Sequence, residues 1–387
     1  MIDVAVIGAG AISSFHLDGY RAFPDRCRVV AVADTDLDRA QRRIEEYHLD
    51  DAIALDSVDA VLQNVPGGVG LASVCTPPST HAEIAVRLLD AGVNTLLEKP
   101  MAPSLAECDA ILAAADRGRA VLSVVAQNRF TNPMMRLKRV LDSGLAGRVL
   151  HAQVDSHWWR GLSYYDLWWR GTWQSEGGGC TLNHAVHHID ALQWMVGTPA
   201  AIQSMIANVN HGNSEVEDLS LTIMRFPGGA LGQLTASVVH HGQEQQIVFQ
   251  TERAKIAMPW TVTAQAARPN GFPERGHDEA TERELTQFYE NIPALAYEGH
   301  AGQIDDVLTA LESTDGSRRV LVDGRDGRAT IEIITAIYQA AITAQTVTLP
   351  LPPDDPFRTR DGLLQAAPHF HEKTVSVGEF STNEITT

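Results

Sequence analysis

The segment Asn183–Asp190 carries polar side chains at a spacing that suits acid–base chemistry. At about 100° per residue, Asn183, His187 and Asp190 fall on one stripe of a helix predicted over residues 183–196. That stripe would bring an amide, an imidazole and a carboxylate to one boundary of the core. Because histidine titrates near neutral pH, the pattern predicts a residue that moves the proton of a substrate hydroxyl.

A metal site is the competing interpretation of the same segment. His184 and His188 have the i, i+4 spacing of a helical metal-binding pair, but position 185 is Ala, so the glutamate of an HExxH motif is missing. We therefore predict no metal here. A buried, hydrogen-bonded histidine remains open as an interpretation of His184 and His188.

A second reactive group is a lysine at the end of a predicted strand. The run Glu98-Lys99-Pro100 follows the apolar strand Thr95–Leu97, and the chain has only four lysines among its 30 lysines and arginines. Ligand sites of open α/β sheets gather at this edge, and the segment Thr76–His81 ends the preceding strand there. Because arginine is the usual cation of this chain, a lysine here suggests a role that a bulky guanidinium cannot fill, although a surface lysine paired with Glu98 is the alternative.

The N-terminus carries a dinucleotide-binding pattern. Gly8-Ala-Gly10 follows a strand and opens a helix, so that free backbone N–H groups would face a pyrophosphate. Asp34 ends the next strand, where its carboxylate can bind the adenosine ribose and repel a 2′-phosphate. We predict NAD, with NADP possible if Arg39 reaches that phosphate. The expected cofactor contacts are Gly8, Gly10, Ala11, Ile12, Asp34, Thr76, Pro77, His81, Glu98, Lys99, Gln127 and Arg170.

Aromatic residues are concentrated in the middle of the chain. Six of the seven tryptophans lie between Trp158 and Trp194, interleaved with arginines and tyrosines. Flat aromatic faces suit the C–H faces of a sugar ring, although core packing accounts for some of these tryptophans. The expected substrate contacts are Lys99, Asn128, Trp158, Arg160, Tyr164, Trp169, Trp173, Asn183, His187 and Asp190.

The predicted helices and strands that must position these groups follow two different sequence patterns. Up to Gln127, short apolar runs alternate with amphipathic helices, which predicts an α/β domain with a doubly wound parallel sheet. Beyond it, longer alternating segments predict an α/β domain with an open, mostly antiparallel sheet, including one strand over Gln246–Ile256 and a hairpin at Phe226–Ala230. The predicted domains are 1–127, 128–350 and a tail, 351–387, without assigned secondary structure.

Composition narrows the classes of function. The formal net charge is −18, which disfavours nucleic acid and anionic membrane surfaces as partners. The four cysteines are widely spaced, and the chain starts without the pattern of a signal peptide. We therefore expect a cytoplasmic protein.

Taken together, these motifs resemble the Gfo/Idh/MocA family (glucose–fructose oxidoreductase, inositol dehydrogenase, rhizopine catabolism). The matching pieces are GAGAISSFH at the start, Asp34, TPPSTH, Glu98-Lys99-Pro100, Gln127–Phe130, the glycines before Asn183 with His187 and Asp190, and Asp323–Arg328. The resemblance implies a Rossmann domain, an open sheet that often forms oligomer contacts, catalytic Lys99 and His187, and substrate orientation by Asn183. Many family members carry Asp where this chain has Asn183.

The resemblance implies reversible oxidation of a secondary hydroxyl on a sugar, glycoside or cyclic polyol by a homodimer or homotetramer. His187 would take the hydroxyl proton and Lys99 would bind the reacting oxygen. Two alternatives stay open. One is a glycoside-cleaving enzyme in which tightly bound NAD oxidises a carbon transiently, and the other is a non-catalytic sensor of dinucleotide and sugar.

Overall fold

The first half of the fold is a parallel sheet of six strands. The computed structural model describes residues 1–313 and 318–378. The strand order is β3-β2-β1-β4-β5-β6 and every pair is parallel, as predicted. The strands are β1 (Ile2–Ile7), β2 (Cys27–Ala33), β3 (Ile53–Leu55), β4 (Leu71–Val74), β5 (Asn94–Leu97) and β6 (Leu122–Val124). The apolar side chains of every strand except the edge strand β3 are mostly buried on both faces, which explains the nearly continuous apolar runs.

Helices cover this sheet and begin at identifiable caps. The helices are α1 (Ser13–Arg21), α2 (Leu37–Tyr47), α3 (Val58–Asn64), α4 (Pro78–Asp90) and α5 (Leu105–Gly118). The side chains of Asp36, Ser57 and Ser104 accept backbone N–H groups at the starts of α2, α3 and α5. The sequence did not predict β3 or α3, because both are short and only partly buried.

The second sheet has eight strands in the order β13-β12-β11-β7-β10-β9-β8-β14. They are β7 (Val149–His157), β8 (Ala201–Ala207), β9 (Leu219–Arg225), β10 (Leu231–Ser237), β11 (Gln245–Thr251), β12 (Lys255–Met258), β13 (Thr261–Thr263) and β14 (Val347–Thr348). Every pair is antiparallel except β7 with β10. The hairpin is confirmed by the bond from Phe226 N–H to the Ala230 carbonyl, at 2.9 Å.

The prediction of one strand over Gln246–Ile256 was wrong. The Thr251 N–H bonds to the Ala254 carbonyl at 2.8 Å, and this tight turn separates β11 from β12. Two consecutive charged residues at the turn, Glu252 and Arg253, bond to Arg148 and Ala146 instead of continuing the strand.

The remaining helices connect the two sheets. They are α6 (Asn132–Asp142), α7 (Trp173–Glu176), α8 (Cys180–Asn183), α9 (Val186–Val196), α10 (Glu279–Asn291), α11 (Gly299–Glu312), α12 (Gly324–Thr343) and α13 (Arg360–Ala366). Helix α11 returns to the first sheet, where Ile304 and Leu308 join the core beside Leu17 and Tyr20. One helix of the predicted second domain, 128–350, therefore packs on the first sheet. The limits of that domain stay a prediction. Among the described residues, no helix has the length and apolarity needed to cross a membrane.

The segment after Pro350 is more ordered than the sequence indicated. It contains α13 and a 3-10 turn at Pro356–Arg358, and both Phe357 and Leu363 are buried. The Pro368 carbonyl accepts the Trp173 Nε1–H at 2.8 Å. Residues 379–387 of the predicted tail lie outside the described part of the chain.

A buried ion pair joins the end of the first sheet to the helices of the second half. Arg129, in the 3-10 turn after β6, is 1% exposed and donates two hydrogen bonds to the Asp190 carboxylate in α9, at 2.8 and 2.7 Å. Its Nη1 also lies 3.4 Å from Asp326 in α12. Because both charges are buried, each depends on the other for compensation.

We expect Arg129→Met to lower the free energy of unfolding by about 3–5 kcal/mol, because Asp190 would be left as an unpaired buried charge. Urea unfolding followed by circular dichroism measures the loss. The matched control is Arg117→Met, since Arg117 pairs with Asp90 on the exposed surface and should contribute at most about 1 kcal/mol. Equal losses in the two variants would contradict this account of the pair.

Candidate active site

The glycine turn after β1 is shaped to receive an anion. Gly8 has φ +95°, and a Cβ at this residue would lie 2.6 Å from the Cys75 carbonyl oxygen, so that only glycine fits. Gly10 faces open space. Within the described residues, the N–H groups of Gly10, Ala11 and Ile12 make no hydrogen bond. These donors precede α1, where the helix dipole also favours negative charge, so they fit a pyrophosphate.

Asp34 lies beside this turn, as the sequence predicted. Its Oδ2 accepts the Ala9 N–H at 2.8 Å and its Oδ1 accepts the Asp36 N–H at 2.9 Å. Sequence reasoning missed Arg43, whose Nη2 donates to the carbonyls of Ala9 and Gly10 at 3.3 and 3.2 Å. Nothing in the sequence separates Arg43 from the other arginines of α2.

Glu98, which we expected at the cofactor, is anchored inside the protein. Its side chain is buried at the end of β5, and its Oε1 lies 3.0 Å from His16 Nε2 and 3.4 Å from His300 Nε2. The Lys99 N–H donates to Oε2 at 3.1 Å. Burial acts to raise the pKa of Glu98, but the hydrogen bonds from the two histidines outweigh it and hold the pKa well below its usual range.

His81 also braces the site from inside. It was expected to contact the cofactor, but it is fully buried, with Nδ1 2.9 Å from the Pro100 carbonyl and Nε2 2.8 Å from the Thr76 carbonyl. It therefore ties the end of β4 to the turn that carries Lys99. Thr76 and Pro77 remain half-buried at the edge of the sheet.

Lys99 and His187 line one cleft together with Asn128. In the part of the chain that the structure describes, neither Lys99 Nζ nor the His187 ring forms a hydrogen bond or ion pair. Burial lowers the pKa of Lys99, with Glu98 opposing the change. Burial and the nearby Lys99 ammonium hold the pKa of His187 well below its usual range. A neutral imidazole and a lysine thus face the same space without internal partners.

The predicted single helix over residues 183–196 was wrong. Helix α8 ends at Asn183 and α9 begins at Val186, with a wide turn between them in which Ala185 N–H bonds to the Cys180 carbonyl at 2.9 Å. The Asn183 amide turns back and donates to the Gly178 carbonyl at 2.8 Å. Asn183 and His187 therefore do not share a helical stripe, and Asn183 is not among the residues lining the cleft of His187.

Contacts far along the chain hold the start of α8. The buried Glu217 carboxylate accepts the N–H groups of Gly179 and Thr181, each at 3.0 Å, and the Tyr338 hydroxyl, also at 3.0 Å. A Cβ at Gly178 would lie 2.2 Å from the Tyr338 hydroxyl oxygen. The glycines at this point therefore serve close packing.

Two expected substrate contacts are structural instead. The carboxylate of Asp190 borders the cleft, but both of its oxygens accept hydrogen bonds from Arg129. Trp173 is 1% exposed and packs edge-on against Tyr338. Burial and these partners account for both residues without a ligand.

The other expected aromatic contacts form a cluster with two arginines. The Arg170 guanidinium lies 4.0 Å from the Trp169 ring centre and 4.2 Å from that of Tyr164, and it pairs with Glu176 at 2.8 Å. The Arg160 guanidinium lies 5.3 Å from the Trp158 ring centre and 5.6 Å from that of Tyr164. The Tyr164 hydroxyl lies 3.2 Å from His184 Nε2. Arg170, expected at the cofactor, belongs to this cluster.

Comparison with protein families identifies the chain. Residues 2–126 match an oxidoreductase family with an NAD-binding Rossmann fold, and residues 134–257 match the GFO/IDH/MocA C-terminal domain. The chain belongs to the GFO/IDH/MocA family. The resemblance noted from the motifs is therefore confirmed, and NAD is the cofactor that this fold binds.

Individual members of the GFO/IDH/MocA family are distant relatives. An uncharacterized oxidoreductase of Schizosaccharomyces pombe is 26% identical over 232 residues, which is 58% of this chain and 61% of that protein. Inositol 2-dehydrogenase of Corynebacterium glutamicum is 25% identical over 333 residues, 81% of this chain and 92% of that enzyme. The alignment thus spans about three fifths of the first relative's length.

A solved structure supports the same assignment. The WlbA dehydrogenase from Bordetella pertussis, in complex with NADH and UDP-GlcNAcA, has a TM-score of 0.77 and 25% identity to this chain. The match covers 91% of this chain and 98% of that one. Most of the fold is therefore shared with a dehydrogenase crystallised with NADH.

Replacing Asp34 should change the preference between dinucleotides. We expect Asp34→Ser to shift the ratio of the NADH and NADPH dissociation constants at least about tenfold toward NADPH, because the carboxylate repels a 2′-phosphate. Fluorescence titration of the two reduced cofactors measures the ratio. Asp38→Ser removes the same charge from an exposed position of α2 and should leave the ratio unchanged. An unchanged ratio in Asp34→Ser would contradict the role of Asp34.

Proposed function

We propose that the protein is an NAD-dependent dehydrogenase that oxidises a secondary hydroxyl of a sugar, glycoside or cyclic polyol. The observation that carries this proposal is the pairing of Lys99 and His187 in one cleft, at the carboxyl edge of the parallel sheet and without internal partners. An inositol dehydrogenase among the relatives supports the substrate class.

The residues of the first sheet would hold the cofactor. The free N–H groups of Gly10, Ala11 and Ile12 suit the pyrophosphate, and Asp34 suits the ribose. Among the described residues, the buried Gln127 Oε1 has no hydrogen-bond partner, so it fits a ligand amide. When bound, NAD supplies the acceptor for a hydride. NADP is the alternative cofactor, because Arg39 is close enough to the ribose site to reach a 2′-phosphate. Its guanidinium lies 3.7 Å from the Asp34 carboxylate.

In the proposed reaction, His187 accepts the proton of the substrate hydroxyl through its neutral imidazole. Lys99 donates a hydrogen bond to the same oxygen and stabilises the negative charge that develops there. Asn128 and the Trp158, Tyr164 and Trp169 rings supply the remaining substrate contacts. Asn183 orients the substrate only through its carbonyl oxygen, because its Nδ2 already donates to Gly178.

We also propose a homodimer or homotetramer in the cytoplasm. Met205, Leu221, Ile223 and Leu231 are exposed on strands β8, β9 and β10. An apolar sheet face of this kind suits contact with a second copy. The four cysteines are buried and unpaired, which suits a reducing compartment.

Removing either reactive side chain should abolish most turnover. We expect Lys99→Met and His187→Gln each to lower kcat by about a hundred- to ten-thousandfold, since proton transfer and charge stabilisation are lost. NADH formation at 340 nm is measured on a panel of sugars, inositols and glycosides, and NAD binding is measured separately by calorimetry. Lys255→Met, at an exposed position of β12, is the matched control. Near-normal kcat in Lys99→Met or His187→Gln would refute the assigned roles, and substrate cleavage without NADH would favour transient oxidation.

The pH dependence of turnover follows from the low pKa of His187. Because burial lowers this pKa well below 6.5, the imidazole is already neutral at and above that pH and needs no deprotonation before it accepts a proton. We expect kcat/KM for oxidation to stay level as the pH falls from neutrality to 6.5, in initial-rate measurements with wild-type enzyme. An acid limb centred at or above 6.5 would contradict this assignment.

A further inference from the structure

We propose that the substrate of this site is a sugar acid whose carboxylate binds Arg160. The proposal rests on the proposed function in one respect: it takes Lys99 and His187 as the place where the hydroxyl reacts. It adds a substrate class, a carboxylate-bearing sugar such as a uronate, and a residue that selects it.

Arg160 has no acidic partner in residues 1–313 and 318–378, which the structure describes. Across the described residues, no carboxylate lies within 4.0 Å of its guanidinium, although the chain has 48 acidic residues against 30 basic ones. Its Nη1 donates only to neutral oxygens, those of the Trp159 carbonyl at 2.7 Å and Gln243 Oε1 at 3.4 Å. Arg170 differs, because Glu176 already neutralises it.

The surroundings of Arg160 prepare it for a planar anion. Its guanidinium lies over the rings of Trp158 and Tyr164, at 5.3 and 5.6 Å from their centres. Aromatic contacts occupy the faces of a guanidinium and leave its N–H edge for an acceptor. The backbone is fixed as well, since the Arg160 N–H bonds to the Val238 carbonyl at 2.8 Å. A carboxylate matches this edge with two parallel hydrogen bonds.

Arg160 is linked to the reacting groups through Tyr164 and His184. Tyr164 contacts both Arg160 and His184, and His184 precedes His187 by three residues at the break between α8 and α9. The nearby charges of Arg160, Arg170 and Lys99 add to burial in holding the pKa of His184 well below its usual range. Arg160 lies outside the residues that line the cleft of His187, so the proposal places one sugar-sized molecule across both, with its carboxylate at Arg160 and its reacting hydroxyl at Lys99.

The balance of charge favours a carboxylate over a phosphate. The three cations near His184 are Arg160, Arg170 and Lys99. Arg170 is paired with Glu176. Glu98, which precedes Lys99 in the chain, is hydrogen-bonded to His16 and His300. Lys99 is assigned to the reacting oxygen, so that Arg160 alone remains for a charged substituent. One guanidinium balances one carboxylate, whereas a phosphate monoester near neutral pH carries up to about two negative charges.

Paired substrates test the proposal. Initial rates of NADH formation are compared for glucose with glucuronate and for galactose with galacturonate, with wild type, Arg160→Gln and Arg225→Gln. Arg225 is an exposed arginine on β9, so its variant makes the same change of charge far from the cleft. We expect the acids to have the higher kcat/KM in wild type and in Arg225→Gln. Arg160→Gln should lower this preference about ten- to hundredfold, mainly through KM for the acids.

A binding measurement separates this proposal from the proposed function. Glucuronate is titrated into the NAD-loaded wild type and Arg160→Gln, with tryptophan fluorescence as the readout. Binding that weakens in Arg160→Gln supports the carboxylate site even if no NADH forms on any sugar, which would refute only the dehydrogenase. Equal kcat/KM for neutral sugars and their acids, or equal binding by the two proteins, overturns the carboxylate site and leaves the dehydrogenase standing.

Discussion

Glu98 lies buried at the end of β5, where its carboxylate accepts hydrogen bonds from His16, His300 and the Lys99 backbone. A buried carboxylate is costly unless every lone pair finds a donor, so the elements that carry these donors must meet at one point. His16 belongs to α1 and His300 to α11. The carboxylate thereby fixes the nucleotide-binding helix, the turn that carries Lys99 and the helix that returns from the second half of the chain.

This arrangement makes the position of Lys99 a property of the whole fold. Helix α1 presents free N–H groups at its start and an internal anchor, His16, one turn later. His81 braces the Lys99 turn from the other side by bonding to the Pro100 carbonyl. On the opposite wall of the cleft, Arg129 fixes α9 through Asp190, three residues after His187. The side chains of Lys99 and His187 can thus meet a ligand while their backbones are held in place.

Features set by neighbouring residues could be predicted from the sequence, and features set by distant contacts could not. The parallel sheet, the glycine turn and Asp34 follow from local patterns of apolar runs, turns and helix starts. The start of α8 is held by Glu217 and Tyr338, and the role of Glu98 depends on His300, 202 residues further along. Helical spacing alone placed Asn183 and His187 on one stripe, whereas the first helix ends at Asn183 and the next begins at Val186. Asp190 and Trp173 were expected to contact the substrate, but Asp190 is paired with Arg129 and Trp173 packs against Tyr338.

The charge distribution explains how an acidic protein can hold a cationic cleft. The formal net charge of −18 creates a field that repels anions at a distance, but at physiological ionic strength that field is screened within about 8 Å. Inside a cleft the local groups dominate, because fewer water molecules and ions reach them. Lys99, Arg160 and Arg170 all lie close enough to His184 to lower its pKa. The overall charge thus affects which anions approach, whereas the charges of these three side chains act at short range and help to hold the pKa of His184 low.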